Sequence, residues 1–254
     1  MSDPELRIYS DLVALSGAAA ELFAQAASAR IAEAGYFAAA LSGGSTPRQL
    51  YELLSTSHFS SRIGWDSVHL FQVDERCVAP DHPENNFRMI RQALLGPARV
   101  PRKCFHRMAA EWEDPAEAAH QYALELSATF PAREGGVPRF DLVILGMGAD
   151  GHTASLFPDS PALDETQLWV CPNRPKVKGL ERITLTFPVL NAARQSVFLV
   201  AGTEKSSTLA RVLEGPYQPR NLPAQRIKPV NGHLLWYVDR AAAERLREVP
   251  GGIG

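Results

Sequence analysis

The sequence predicts a doubly wound α/β fold, with a mostly parallel sheet and helices on both faces, and three observations support it. Short apolar runs without polar alternation, such as "YFAAALS" (36–42) and "FDLVILG" (140–146), suit strands covered on both sides. Helical patterns alternate with these runs nearly throughout. Glycine-rich and charged segments follow directly on the strand runs, where parallel α/β sheets bind their ligands.

The elements follow in order. A short strand is expected over residues 6–10. Asp11 then caps a helix to about residue 34, with Leu12, Leu15, Ala19, Leu22 and Phe23 near helical spacing and Gly35 as its stop. After the strand 36–42 comes "GGSTP", in which Thr46 is expected as the N-cap and Pro47 as the first helical residue, the helix ending near Leu54. "VHLFQV" (68–73) is a strand that ends in Asp74-Glu75-Arg76. "APDHPENN" reads as a loop before a helix to roughly Leu95, and a further helix spans 115–129 from Asp114-Pro115. Strands are expected at 140–146, 181–187, 196–202 and 234–239, followed by a C-terminal helix. There is no internal repeat or linker-like tract, so residues 1–254 are read as a single domain.

Composition narrows the function classes. In 254 residues, 45% are apolar and 21% charged, enough to bury a core without staples. The formal net charge of -2 does not suit a nucleic-acid surface, whereas a small anion needs only a few local cations. Cys77, Cys104 and Cys171 fit neither a disulfide framework nor a zinc pattern, and they point to a cytoplasmic setting. The N-terminus does not read as a signal peptide, and the alanine-rich stretch with Glu21, Gln25, Arg30 and Glu33 reads as too polar to span a membrane. No obligate protein partner is evident.

Four polar constellations sit next to strands. Gly43, Gly44, Ser45 and Thr46 open a helix, where backbone N–H groups and hydroxyls can cradle an anion; the bland alternative is a tight turn. The segment lacks both the GK[ST] of a Walker loop and a G-x-S-x-G elbow. Asp74 and Arg76 can contact sugar hydroxyls and an oxyanion, although three consecutive charges are often only a solvated loop. "GMGADGHTASLFP" (146–158) formally contains G-x-G-x-x-G. It lies mid-chain, and no acidic residue ends a strand about 20 residues on, so a dinucleotide site is rejected. His152 within it is a candidate general base with Asp150 beside it, and no Ser or Cys nucleophile is evident there. Arg182 and Lys205 are candidate phosphate ligands, or ordinary surface charges. The seven His residues show no metal-ligand spacing, so neither a metal nor a cofactor is expected.

"LSGGSTP", "VDER", "HPENNF", "LGMGADGHTASLFP" and "RITLTFPVLNAA", in that order, resemble the 6-phosphogluconolactonase family over roughly residues 10–240. The resemblance implies the glucosamine-6-phosphate deaminase-like fold and hydrolysis of 6-phospho-D-glucono-1,5-lactone, so that the partner is a small phosphosugar lactone. Matched motif by motif, it implies His152 as base and Asp74 and Arg76 as substrate and transition-state contacts. Gly43, Gly44, Ser45, Thr46, Arg182 and Lys205 become the phosphate cradle, with Asn86 and Arg88 bordering the site. In the "NRPKVKGLE" loop either Lys176 or Lys178 matches the family's lysine. The resembling deaminases carry a Glu five residues after the His, where this chain has Phe157. A non-enzymatic sugar-phosphate sensor would need a DNA-binding segment, and no helix-turn-helix fits before residue 36.

Overall fold

The computed structural model of the chain describes residues 4–130, 136–175 and 179–247. Its first half runs β1 (Glu5–Tyr9), α1 (Leu12–Ala34), β2 (Phe37–Leu41), α2 (Ser45–Leu54), α3 (Ser57–Ser60), β3 (Val68–Gln72), β4 (Asp74–Arg76), α4 (Asn86–Ile90), β5 (Phe105–His106) and α5 (Pro115–Thr129). Then come β6 (Leu142–Gly146), β7 (Val170–Asn173), β8 (Arg182–Leu185), α6 (Phe187–Asn191), β9 (Gln195–Val200), α7 (Ser206–Glu214), β10 (His233–Asp239) and α8 (Arg240–Ala243).

Seven strands form one parallel sheet in the order β1-β10-β9-β6-β2-β3-β5. From β2 the chain builds outward through β3 and β5, then returns to lay β6 on the other side of β2 and continues through β9 to β10. The winding direction therefore reverses between β2 and β6. Their carboxyl ends open the crevice in which this class of sheet binds ligands.

Side chains along each strand alternate between two apolar layers. Phe37, Ala39 and Leu41 of β2 face one layer with Leu15 and Phe23 of α1 and Leu50 and Tyr51 of α2. Ala38 and Ala40 face the other, with Tyr122 and Leu126 of α5 and Leu209 and Val212 of α7. Both faces are covered, which is why β2 and β6 read as unbroken apolar runs. Asp11 caps α1, its Oδ1 accepting the Ala14 N–H at 2.9 Å, and Asp114 caps α5 by accepting from Ala116 at 2.9 Å.

Three expectations need correction. The cap of α2 is Gly44, not Thr46, and no side chain caps that helix. The chain turns at Gly44 with φ +107°, a conformation closed to threonine, so the helix begins two residues earlier. Asp74–Arg76 is not a loop beyond a strand but the strand β4, paired antiparallel with β8, which pairs antiparallel with β7 in a separate three-stranded sheet. Finally, polarity does not by itself keep α1 out of a membrane, since an 18-residue window there has a mean hydropathy of 1.3. What ties it to the fold is its face, where Leu15, Ala19, Phe23 and Ala27 are buried against the sheet.

Candidate active site

The crevice between β2 and β6 is a cavity of about 510 Å³. Its floor is the turn after β2, where Gly43, Gly44, Ser45 and Thr46 line it at the start of α2. The first N–H groups of a helix have no partner within it, so Ser45 and Thr46 present backbone donors here beside their hydroxyls. Arg48 N–H closes the first turn onto Gly44 C=O at 3.2 Å. Lys205, at the start of α7, lines the same cavity together with Glu204.

The turn after β6 carries His152. Gly148 N–H donates to His152 C=O at 2.8 Å and Gly151 N–H to Gly148 C=O at 3.0 Å, folding the segment back on itself. This brings His152 Nδ1 to 2.6 Å from Asp150 Oδ1, which also accepts the His152 backbone N–H at 3.1 Å. An ionised carboxylate only accepts, so Nδ1 carries the hydrogen and Nε2 keeps its lone pair. Burial pushes the Asp150 carboxyl up, but the hydrogen bond and charge of His152 outweigh it and hold the group below its usual range. Gly148 is obligatory here, because a Cβ on it would lie 2.1 Å from His152 Nδ1 and 2.5 Å from Asp150 Oδ1.

The opposite wall is the small sheet. The β4–β8 register sets Arg76 directly across from Arg182, and both line the cavity. Arg76 Nη1 donates to Glu84 C=O at 2.5 Å and to Asn86 Oδ1 at 2.7 Å. Arg182 Nε donates to Leu180 C=O at 3.2 Å. Burial, and next the Arg76 charge, lower the Arg182 guanidinium from its ordinary value. Two guanidiniums held side by side in a half-buried wall are relieved by an anion. Asp74 is buried, its Oδ2 accepting from Ser155 Oγ at 2.5 Å and its Oδ1 from Asn86 Nδ2 at 3.4 Å.

A family model described as glucosamine-6-phosphate isomerases/6-phosphogluconolactonase matches residues 10–236. The chain belongs to this family. Among its relatives, a 6-phosphogluconolactonase of Synechocystis sp. is 42% identical over 85% of this chain and 88% of that one. One of Nostoc sp. is 38% identical over 95% and 98% of the two chains. The solved 6-phosphogluconolactonase of Trypanosoma cruzi superposes with a TM-score of 0.87 at 28% identity, covering 98% of this chain and 99% of that one. A monomeric glucosamine-6-phosphate deaminase shares the fold alone, with a TM-score of 0.77 at 17% identity.

Within this family frame, the structure brings His152, Asp74, Arg76, Asn86, Arg182 and Lys205 to one cavity with the turn 43–46. Asp150 stands behind His152 rather than on the cavity wall. Arg88 lies on α4, its N–H donating to Asn85 Oδ1 at 2.9 Å, and it does not line the cavity. Lys176 and Lys178 fall outside the described residues. One participant enters the sequence reading only as a difference from the deaminases, and another escapes it. Phe157 lines the cavity with its ring 4.7 Å from the imidazole of His152. Ser155 holds Asp74, and both pairings depend on chain folding that no local pattern announces.

Among the described residues, no three His, Cys, Asp or Glu side chains come together as a metal-binding group. Burial pushes the Cys77 thiol up to about 11 and the Cys171 thiol to about 12, so neither is a ready nucleophile at neutral pH.

Proposed function

We propose that this chain hydrolyses 6-phospho-D-glucono-1,5-lactone to 6-phospho-D-gluconate, a step of the pentose phosphate pathway, with His152 as the general base and without a metal. The observation that carries the mechanism is the Asp150–His152 pair at 2.6 Å in the crevice, opposite the two arginines. The substrate phosphate docks on the turn 43–46 with Lys205 and Arg182. His152 Nε2 removes a proton from water as the water oxygen bonds to carbon 1. Arg76 meets the resulting oxyanion, and Asp74 and Asn86 border the sugar. The tetrahedral intermediate collapses by breaking the bond from carbon 1 to the ring oxygen. That oxygen takes the proton from His152, and the new carboxylic acid loses its own proton to solvent. Asp150 stabilises the imidazolium between the two transfers.

Deamination or isomerisation of a sugar phosphate calls for a ring-opening acid next to the base. The side chain packed on His152 is instead the apolar Phe157. The activity is assigned to one domain over residues 1–254, in a cytoplasmic setting, with no nucleic-acid or membrane partner.

The test is hydrolysis of freshly made lactone at slightly acidic pH, coupled to 6-phosphogluconate dehydrogenase, with and without chelator. Turnover is expected to survive chelator and to fall by about 10²–10⁴-fold in His152→Ala with KM little changed. Turnover equal to native in that variant removes His152 from the mechanism, and no hydrolysis above background by the native protein removes the lactone.

A further inference from the structure

Between Asp74 and Arg76 stands Glu75, which points away from the cavity and is fully buried. Its carboxylate is caged by four donors. Oε1 accepts the N–H of Arg76 at 2.8 Å and of Asn86 at 2.7 Å. Oε2 accepts the N–H of Phe87 at 2.7 Å and the Nε2 of Gln72 at 2.7 Å. The cage joins three pieces of chain: the end of β3, the strand β4 and the first turn of α4. Gln72 is itself fixed, because its Oε1 accepts the Met108 N–H at 2.9 Å.

The geometry points to Glu75 as a positioning residue for Arg76: by seating the backbone of Asn86, it places the Asn86 side chain that holds the guanidinium at the cavity. Asn86 Oδ1 accepts from Arg76 Nη1 at 2.7 Å while its Nδ2 donates to Asp74 C=O at 2.9 Å, so the amide is locked in one orientation. The hydrogen-bond partner of the Asn86 N–H is Glu75 Oε1. Burial pushes the Glu75 carboxyl up from its ordinary range against the pull of its four donors, but the cage is built for a carboxylate: all four neighbours donate, and an amide in its stead would aim an N–H at an N–H. Arg76 is therefore oriented by a group that never touches the ligand. This role rests on the reading of the cavity as the lactone site.

The experiment is a double-mutant cycle of Glu75→Gln and Arg76→Ala, each protein first checked for a cooperative thermal transition. In the native background Glu75→Gln is expected to lower kcat/KM about tenfold, and in the Arg76→Ala background by less than about twofold, because the residue through which it acts is already gone. The acid limb of the pH profile stays in place, since the Asp150–His152 pair lies on the other wall. An equal loss in both backgrounds overturns the proposal, because that is what a general loss of structure gives. Should Glu75→Gln fail to fold, Glu75→Asp keeps the charge but withdraws it from Asn86 and Phe87, and the same cycle is read with it. A crystal structure of the variant separates this proposal from the lactone reading. Asn86 Oδ1 still 2.7 Å from Arg76 Nη1 refutes the positioning role whatever the native protein hydrolyses; an opened contact supports it even if the lactone is not the substrate.

Discussion

Asp150 and His152 divide the work of the base between them. With Nδ1 committed to the carboxylate at 2.6 Å, removal of the negative charge makes the imidazolium harder to form. Asp150→Asn is therefore expected to move the acid limb of kcat/KM to lower pH while lowering the plateau, a shift a pH–rate profile reads directly. The sign for Asp150 itself is the opposite of a buried, unpaired acid. Its carboxyl lies below the ordinary carboxylate range, so its support of the turn is complete above that range and is lost only as pH falls through the lowered value. The stability of the turn should then hold from the ordinary carboxylate range up through neutrality. Of these residues, His152 and Asp150 were visible in the sequence because glycines bracket them after an apolar run. Glu75 was not. Three successive charges look like solvated surface, and only the alternation of a strand shows that the middle one faces inward while Asp74 and Arg76 face the cavity.

At the scale of elements, the turn after β6 is a rigid part rather than a loose loop. Gly148→Ala should be tolerated by the sheet and not by the site, since the added methyl would overlap the His152–Asp150 contact. The expected outcome is a loss of kcat of about tenfold or more with an unchanged thermal midpoint, measured by steady-state kinetics beside a melting curve. All seven expected strands exist, and the inner ones of the large sheet show why: burial on both faces leaves a signature that survives without knowledge of neighbours. The two-residue β5 of the large sheet left no pattern, and of the small antiparallel sheet only β8 was expected. β4 has three residues and β7 has four with Pro172 among them, each too short for a periodic pattern to develop. Yet it is this sheet that explains how Arg182, at the beginning of a strand, reaches a crevice built from strand ends: β8 runs opposite to β4, so its first residue lies beside β4's last.

For the whole molecule, the end of the sheet remote from the cavity is held by one buried acid. Asp141 accepts from Arg30 Nε of α1 at 2.8 Å and from the Ala38 N–H of β2 at 2.9 Å, and it pairs with Arg194 Nε before β9 at 3.1 Å. Asp141→Ala leaves those donors unmatched. It is expected to cost about 2–4 kcal/mol, less than a fully buried pair because Arg194 is partly in water, and to lower the thermal midpoint by about 5–12 °C. Because this end is far from the crevice, kcat at low temperature should match native; a loss of activity without a loss of stability would mean that the two ends are coupled.

The order of strands also has a consequence for the chain as it is made. β1, at residues 5–9, pairs with β10, at residues 233–239, and among the described residues with no other strand. β1 must therefore wait for all the elements between it and β10 to be made before it meets its neighbour, while β2 and β3 can join as soon as both are out. A nascent chain stalled short of residue 233 would hold the sheet from β9 to β5 with β9 open along an edge and β1 unpaired, the state most exposed to pairing with another molecule. Synthesis of β10, rather than any earlier folding step, is what closes this sheet.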